Sequence, residues 1–242
     1  MRTVTVTLVE ERSEEAYEEN VAEAQGIVSW AADIPAVEIT ITTIGWLSWG
    51  EIAIEHEAEA RRARAAYVAA TDSTAASGHL SRESREVMEG VGASASALDA
   101  LYGTVKAISP LPAETLAAGK KKKKKKKGRK GPARQRQILE TLKHGFAIGK
   151  KEKEWMGELV WLFDLRDAGV HFEAVASATV PHPTGLTNES PVNAAYSVEA
   201  MKRAVDLMID VLDVCSSSPR AATNEWAGTF RPTIAGLIAT RR

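Results

Sequence analysis

One cysteine, Cys215, stands in a chain of 242 residues. An internal disulfide framework is therefore excluded, as is a cysteine-based zinc cluster within one chain. Aromatic residues make up only 6%, and the abundant alanine suits packed helices better than a β-sandwich. No run is apolar for long enough to span a bilayer. The N-terminus passes straight into alternating residues without the apolar core of a signal peptide. These absences together predict a soluble, cytoplasmic protein with no membrane association. The chain also lacks a phosphate-binding glycine loop, a Gly-x-Ser-x-Gly elbow and a His-Glu-x-x-His sequence, so neither a metal nor a cofactor is expected. No repeat with a period of about 20–50 residues is present, which argues against a solenoid.

What is present is unevenly charged. The net charge of −1 conceals a balance of −11 over residues 1–119, +12 over residues 120–136 and −2 over residues 137–242. The cationic block contains Lys120, Lys121, Lys122, Lys123, Lys124, Lys125, Lys126, Lys127, Arg129 and Lys130. Adjacent ammonium groups repel one another and offer nothing apolar to bury, so residues 109–132 read as a flexible insertion. Such a tract attracts polyanions through counterion release, without regard to sequence. It contains no aromatic ring on which a base could stack. It is a candidate nucleic-acid-binding element that holds RNA without reading it.

Periodicity divides the remainder. Residues 2–9 and 36–47 alternate in the manner of strands, with Val37, Ile39 and Ile41 set against Glu38, Thr40 and Thr42. Between them, Tyr17, Val21, Ala24, Val28 and Ala31 form a helical stripe. Residues 1–49 thus read as a strand–helix–strand lead. From Gly50 to about residue 215 the period is helical. Helices are predicted near 51–70, 81–107, 133–148, 150–169 and 191–215, giving a mainly α bundle interrupted by the basic loop. Ser81 and the Ser190-Pro191 pair are read as N-terminal caps, and Gly90 and Gly92 as weak points. Residues 216–242 form a tail with a short helix after Trp226.

The candidate chemistry lies at the end of the fourth of these helices, in Arg166-Asp167-Ala168-Gly169-Val170-His171. An imidazole exchanges protons near neutral pH. A guanidinium binds the charge that grows on phosphorus oxygens. Together they are a minimal kit for cleaving an RNA phosphodiester without metal. With 16 Arg and 5 His in the chain, roughly one pair at this spacing arises by chance, so its setting must decide. Arg166 lies in line with Trp155, Leu159, Leu162, Phe163 and Val170, on the face predicted to be buried. A cation there must be paired, or must face a cleft or a subunit contact. Asp167 is the nearest group to orient it. Gly169 can release the helix before His171.

The string Leu162-Phe163-Asp164-Leu165-Arg166-Asp167-Ala168-Gly169-Val170-His171 resembles the hallmark of the HEPN family (higher eukaryotes and prokaryotes nucleotide-binding), an Arg followed after four to six residues by His. Ala97-Leu98-Asp99-Ala100-Leu101-Tyr102 also looks like a packing helix of such domains. The resemblance covers roughly residues 50–215. The lysine insertion and the strand-bearing lead depart from the minimal domain. The resemblance implies a helical, metal-independent endoribonuclease of the toxin–antitoxin or defence type, acting as a homodimer that joins two motifs. Arg166, Asp167 and His171 would be its catalytic residues, and the products would carry 2′,3′-cyclic phosphate and 5′-hydroxyl ends.

Two other readings stay open: a non-catalytic nucleic-acid-binding module that uses the basic loop, and an interaction protein that pairs with an antitoxin or another partner. Three other histidines are plainer. His56 sits among Glu55, Glu57 and Glu59 and reads as part of a solvated face. His144 reads as surface, and His182 as a loop residue between two prolines.

Overall fold

Threonine and valine alternate at the start of the chain, and in the computed structural model Arg2–Val6 forms strand β1. It pairs antiparallel with β2, Ile39–Thr43, in the register Arg2↔Thr43 to Val6↔Ile39. The structure describes residues 2–6, 39–112, 134–170, 180–181, 188–189 and 194–241. The helix expected between the two strands and the lysine tract both lie outside these residues. The chain divides into two compact units, Met1–Ile44 and Gly45–Arg242. The second is mainly helical, as its periodicity predicts.

The second strand is shorter than the alternation suggested. Helix α1, Gly45–Ala69, already contains Trp46. Its buried positions, Trp46, Gly50, Ala53, Glu57, Ala60 and Tyr67, recur at helical spacing. Trp46 packs edge-on against Trp226 at 5.9 Å and Phe230 at 5.6 Å between centroids. That tertiary contact, in the range of favourable aromatic pairs, places the residue in the helical core.

Only residues 70–72 separate α1 from α2, Ser73–Ile108. So short a connection makes the two helices antiparallel neighbours, and α1 packs most extensively against α2. The true cap of α2 is Asp72, whose carboxylate accepts from the Ala75 amide at 2.8 Å. Ser81 lies inside the helix. Val87, Val91, Ala95, Leu98, Tyr102 and Val105, which recur at helical spacing along α2, are all buried. Gly90 is a contact rather than a weak point. A Cβ there would overlap the thioether end of Met201 and lie 3.1 Å from His56 Cβ, so the glycine sits where α2 meets side chains of both α1 and α5.

Helices α3, Arg134–Gly145, and α4, Lys151–Val170, are joined through Gly149, whose φ of 55° suits glycine. A two-residue pairing of Val180–Pro181 (β3) with Asn188–Glu189 (β4) follows. Helix α5 spans Val198–Ser217 and is capped by Ser197; the Ser190-Pro191 pair read as a cap lies outside the described residues. Its stripe of Met201, Val205, Met208, Leu212 and Cys215 is the centre of the core. Burial pushes the Cys215 thiol well above its usual range, which makes it a poor nucleophile. The C-terminal helix α6, Asn224–Thr240, is longer than expected and packs on α5 and α1.

Buried ion pairs tie these helices together. Glu83 is fully buried. It accepts from Arg64 Nε at 2.7 Å and Nη2 at 2.6 Å, and from the Val198 amide at 3.1 Å. A carboxylate at the start of α5 satisfies an amide that the helix leaves unpaired and lies at the favourable end of its dipole. Glu83→Ala takes from Arg64, only 16% exposed, its buried partner, leaving it the exposed Glu199 at 3.1 Å, and takes from the Val198 amide its acceptor. Losing one partner of such a pair costs about 3–5 kcal/mol. The expected result in urea is a lower midpoint with an unchanged slope. A loss below about 1 kcal/mol would mean that water replaces the carboxylate without penalty.

Glu57 repeats the pattern on α1. Burial raises its carboxyl, but bonds from Arg241 and Arg61 outweigh that and hold it below 4.5. Asp206 is likewise raised by burial and held below 3.8 by Lys202 and Arg241. A carboxyl whose folded pKa lies below its unfolded one contributes stability that is complete above the unfolded value. That contribution is lost as pH falls through the folded value. Stability should therefore be flat above about pH 5 and decline in more acid solution. Glu57→Gln should make the decline shallower. Equal declines for both proteins, followed by urea midpoints between pH 7 and pH 3, would remove Glu57 from the account.

Candidate functional site

Helix α4 carries the site, and its beginning is firmly anchored. Trp155 donates its indole N–H to Asp210 Oδ2 at 2.8 Å, and Lys151 reaches the same carboxylate at 3.0 Å. Trp155, Leu159, Leu162 and Phe163 are buried against the bundle. The stripe stops there. Arg166, the next position along it, is not buried: its side chain is 31% exposed.

The guanidinium lies over the Phe163 ring, 4.6 Å from its centroid, so the stem follows the core while the head meets water. Nε and Nη2 donate to Asp167 Oδ1 at 2.9 and 2.6 Å. The expected orienting partner is thus the actual one, and Asp167 itself is 54% exposed. Arg134 over Tyr102 with Asp99, and Arg203 over Trp161 with Glu158, are partly exposed pairs of the same kind; two other arginines differ. Arg64 and Arg241 neutralise the buried acids Glu83 and Glu57, which come from a different helix. Arg166 neutralises nothing buried.

Gly169 does not release the helix, which runs on to Val170. Its role is a close approach. A Cβ at Gly169 would lie 2.8 Å from Tyr196 Oη. That hydroxyl donates to the Leu165 carbonyl at 2.6 Å. Tyr196 is buried, and burial pushes its phenol above 10, so it acts as a neutral donor. No local sequence signal could have found this contact, because the partners are 31 positions apart. His171 and His182 lie outside the described residues. So do Lys120 to Lys127, Arg129 and Lys130. The structure brings Arg166 and Asp167 together and leaves the rest of the motif to chemical test.

His56 is a correction. It is half-buried rather than solvated, and its partners are not its neighbours on α1. Nδ1 lies 2.8 Å from Glu86 Oε2, and Nε2 lies 3.5 Å from Glu89 Oε2, both on α2. Ligand atoms of the three residues fall within 4.8 Å of one another. Arg82 and Arg85, at 3.8 and 3.7 Å from Glu86, already supply positive charge there. In this arrangement the trio ties α1 to α2. His144, by contrast, is exposed as expected.

Comparison with known protein families, with curated proteins and with solved structures finds no match. No helix among the described residues is long and apolar enough to cross a membrane.

Proposed function

We propose that this chain is a HEPN-type, metal-independent endoribonuclease that acts in the cytoplasm as a toxin or defence effector. The observation that carries the reading is the exposure of Arg166. Arg64 and Arg241 meet buried acids from another helix, whereas the head of Arg166 is partly exposed and oriented by its own neighbour Asp167, five residues before His171. That is what a phosphate-binding cation requires.

In the proposed reaction His171 takes the proton of a ribose 2′-hydroxyl. The 2′-oxygen attacks phosphorus, the bond from phosphorus to the 5′-oxygen breaks, and that oxygen receives a proton from the imidazolium formed here or on a second protomer. Arg166 holds the charge developing on the non-bridging oxygens. The products carry 2′,3′-cyclic phosphate and 5′-hydroxyl ends. A homodimer joining two such turns would complete the site, and the lysine tract would retain RNA nearby. Incubation of mixed RNA with purified protein in EDTA, followed by end-group analysis, tests the reading. Cleavage to these ends is the expected result. Intact RNA, with binding retained, would favour the non-catalytic nucleic-acid-binding module, for which the tract speaks. Absence of both would favour a protein-interaction role, with an antitoxin among the possible partners.

A further inference from the structure

The core stripe of α4 ends at Phe163, yet the helix continues for seven residues and carries Arg166 in that extension. Asp164, Asp167 and Ala168 are exposed, and Leu165, Arg166 and Gly169 are half-buried. Among the described residues this segment has no fully buried side chain, and partly exposed helix ends are the ones that open locally. One buried side chain reaches it with a hydrogen bond: Tyr196, which precedes the cap residue Ser197 of α5. The start of α5 is in turn held by Glu83 of α2 through the Val198 amide. Resting on the ribonuclease reading, we infer that Tyr196 is the positioning residue for Arg166, pinning the last turn of α4 to the core through the Leu165 carbonyl.

Gly169 supports this assignment. It is the penultimate residue of α4, and a Cβ there would lie 2.8 Å from the tyrosine hydroxyl, inside contact distance. The absent side chain leaves room for the tyrosine to reach the Leu165 carbonyl.

Two variants separate positioning from helix stability. Tyr196→Phe keeps the ring and removes the bond. The Gly169 amide, one turn above the Leu165 carbonyl, should exchange with solvent faster by about threefold to tenfold. The turnover rate should fall about tenfold with KM held within about twofold, because a displaced cation costs the transition state more than the ground state. Gly169→Ala gives the decisive sign. Helix propensity alone would slow exchange about fivefold. Displacement of Tyr196 would speed it and lower turnover as Tyr196→Phe does. Exchange at Val91 and Leu98 in α2 reports the global fold and should not change.

Slower exchange in Gly169→Ala, unchanged exchange or turnover in Tyr196→Phe, or acceleration extending to α2 would each overturn the inference. If the parent protein cleaves no RNA, the ribonuclease reading fails and takes the catalytic half of the inference with it. The exchange measurements then decide alone whether Tyr196 fixes the Arg166 turn.

Discussion

Arg166→Ala and His171→Ala should each reduce RNA cleavage by about 10²–10⁴, the range for removing a positioned acid–base or charge-stabilising group. Neither change should lower thermal stability by much. Arg166 is half-exposed, bonded to an exposed neighbour and balanced against no buried acid, and pairs of that kind contribute about 0–1 kcal/mol. The two losses should not add in the double variant, because both groups act in one step. Single-turnover cleavage and a melting curve for each protein measure both quantities. Cleavage by His171→Ala at the parent rate, with contaminating nuclease excluded, removes the histidine from the mechanism. A large drop in stability for Arg166→Ala would instead restore the structural reading of that residue. Arg166→Lys distinguishes charge from shape: a lysine keeps the positive charge but loses the planar fork, so partial activity at best is expected.

Replacing Lys120–Lys127 with Gly/Ser repeats is the second large expected effect, and it falls on binding. Eight cations leave the chain. Each single-strand phosphate neutralised contributes about 0.7 to the slope of log affinity against log salt, so the slope should flatten by up to about 6. The weakening should be alike for unrelated RNA sequences, since lysines without stacking partners carry no base information. Cleavage at saturating RNA should survive, because the tract offers no proton-transfer group suited to neutral pH. Filter binding at several salt concentrations, set beside single-turnover cleavage, resolves the two roles. Identical salt slopes would show that the tract does not touch RNA. Loss of cleavage at saturation would place it in the site itself.

The helices of the second unit were legible in the sequence because their apolar residues recur at 3.6-residue spacing, and burial of Val87, Val91, Leu98, Trp155, Leu159, Met201 and Met208 follows that pattern. Helix ends were less legible. Asp72 and Ser81 are both chemically fit to cap α2, and only packing of the added two turns against α1 selects Asp72. Trp46 went to the strand on local alternation and to the helix on its contacts with Trp226 and Phe230. Those partners lie at the far end of the chain, where no local pattern can announce them.

The same division runs through the site. The order of Arg166, Asp167 and His171, their residue types and the cationic tract are properties of the sequence alone, and so is the pairing of Arg166 with an adjacent carboxylate. Whether Arg166 is buried was a tertiary matter. The stripe on α4 is fully buried as far as Phe163, and beyond it even the positions in phase with the core, such as Arg166, are only half-buried. Tertiary structure also decided that His56 meets Glu86, that Glu83 holds the start of α5 and that Tyr196 reaches Leu165. Each of these joins residues at least 30 positions apart. Periodicity states which face of a helix is apolar, but the partner of a polar group is set by which helices come together, and that depends on the packing of the whole unit.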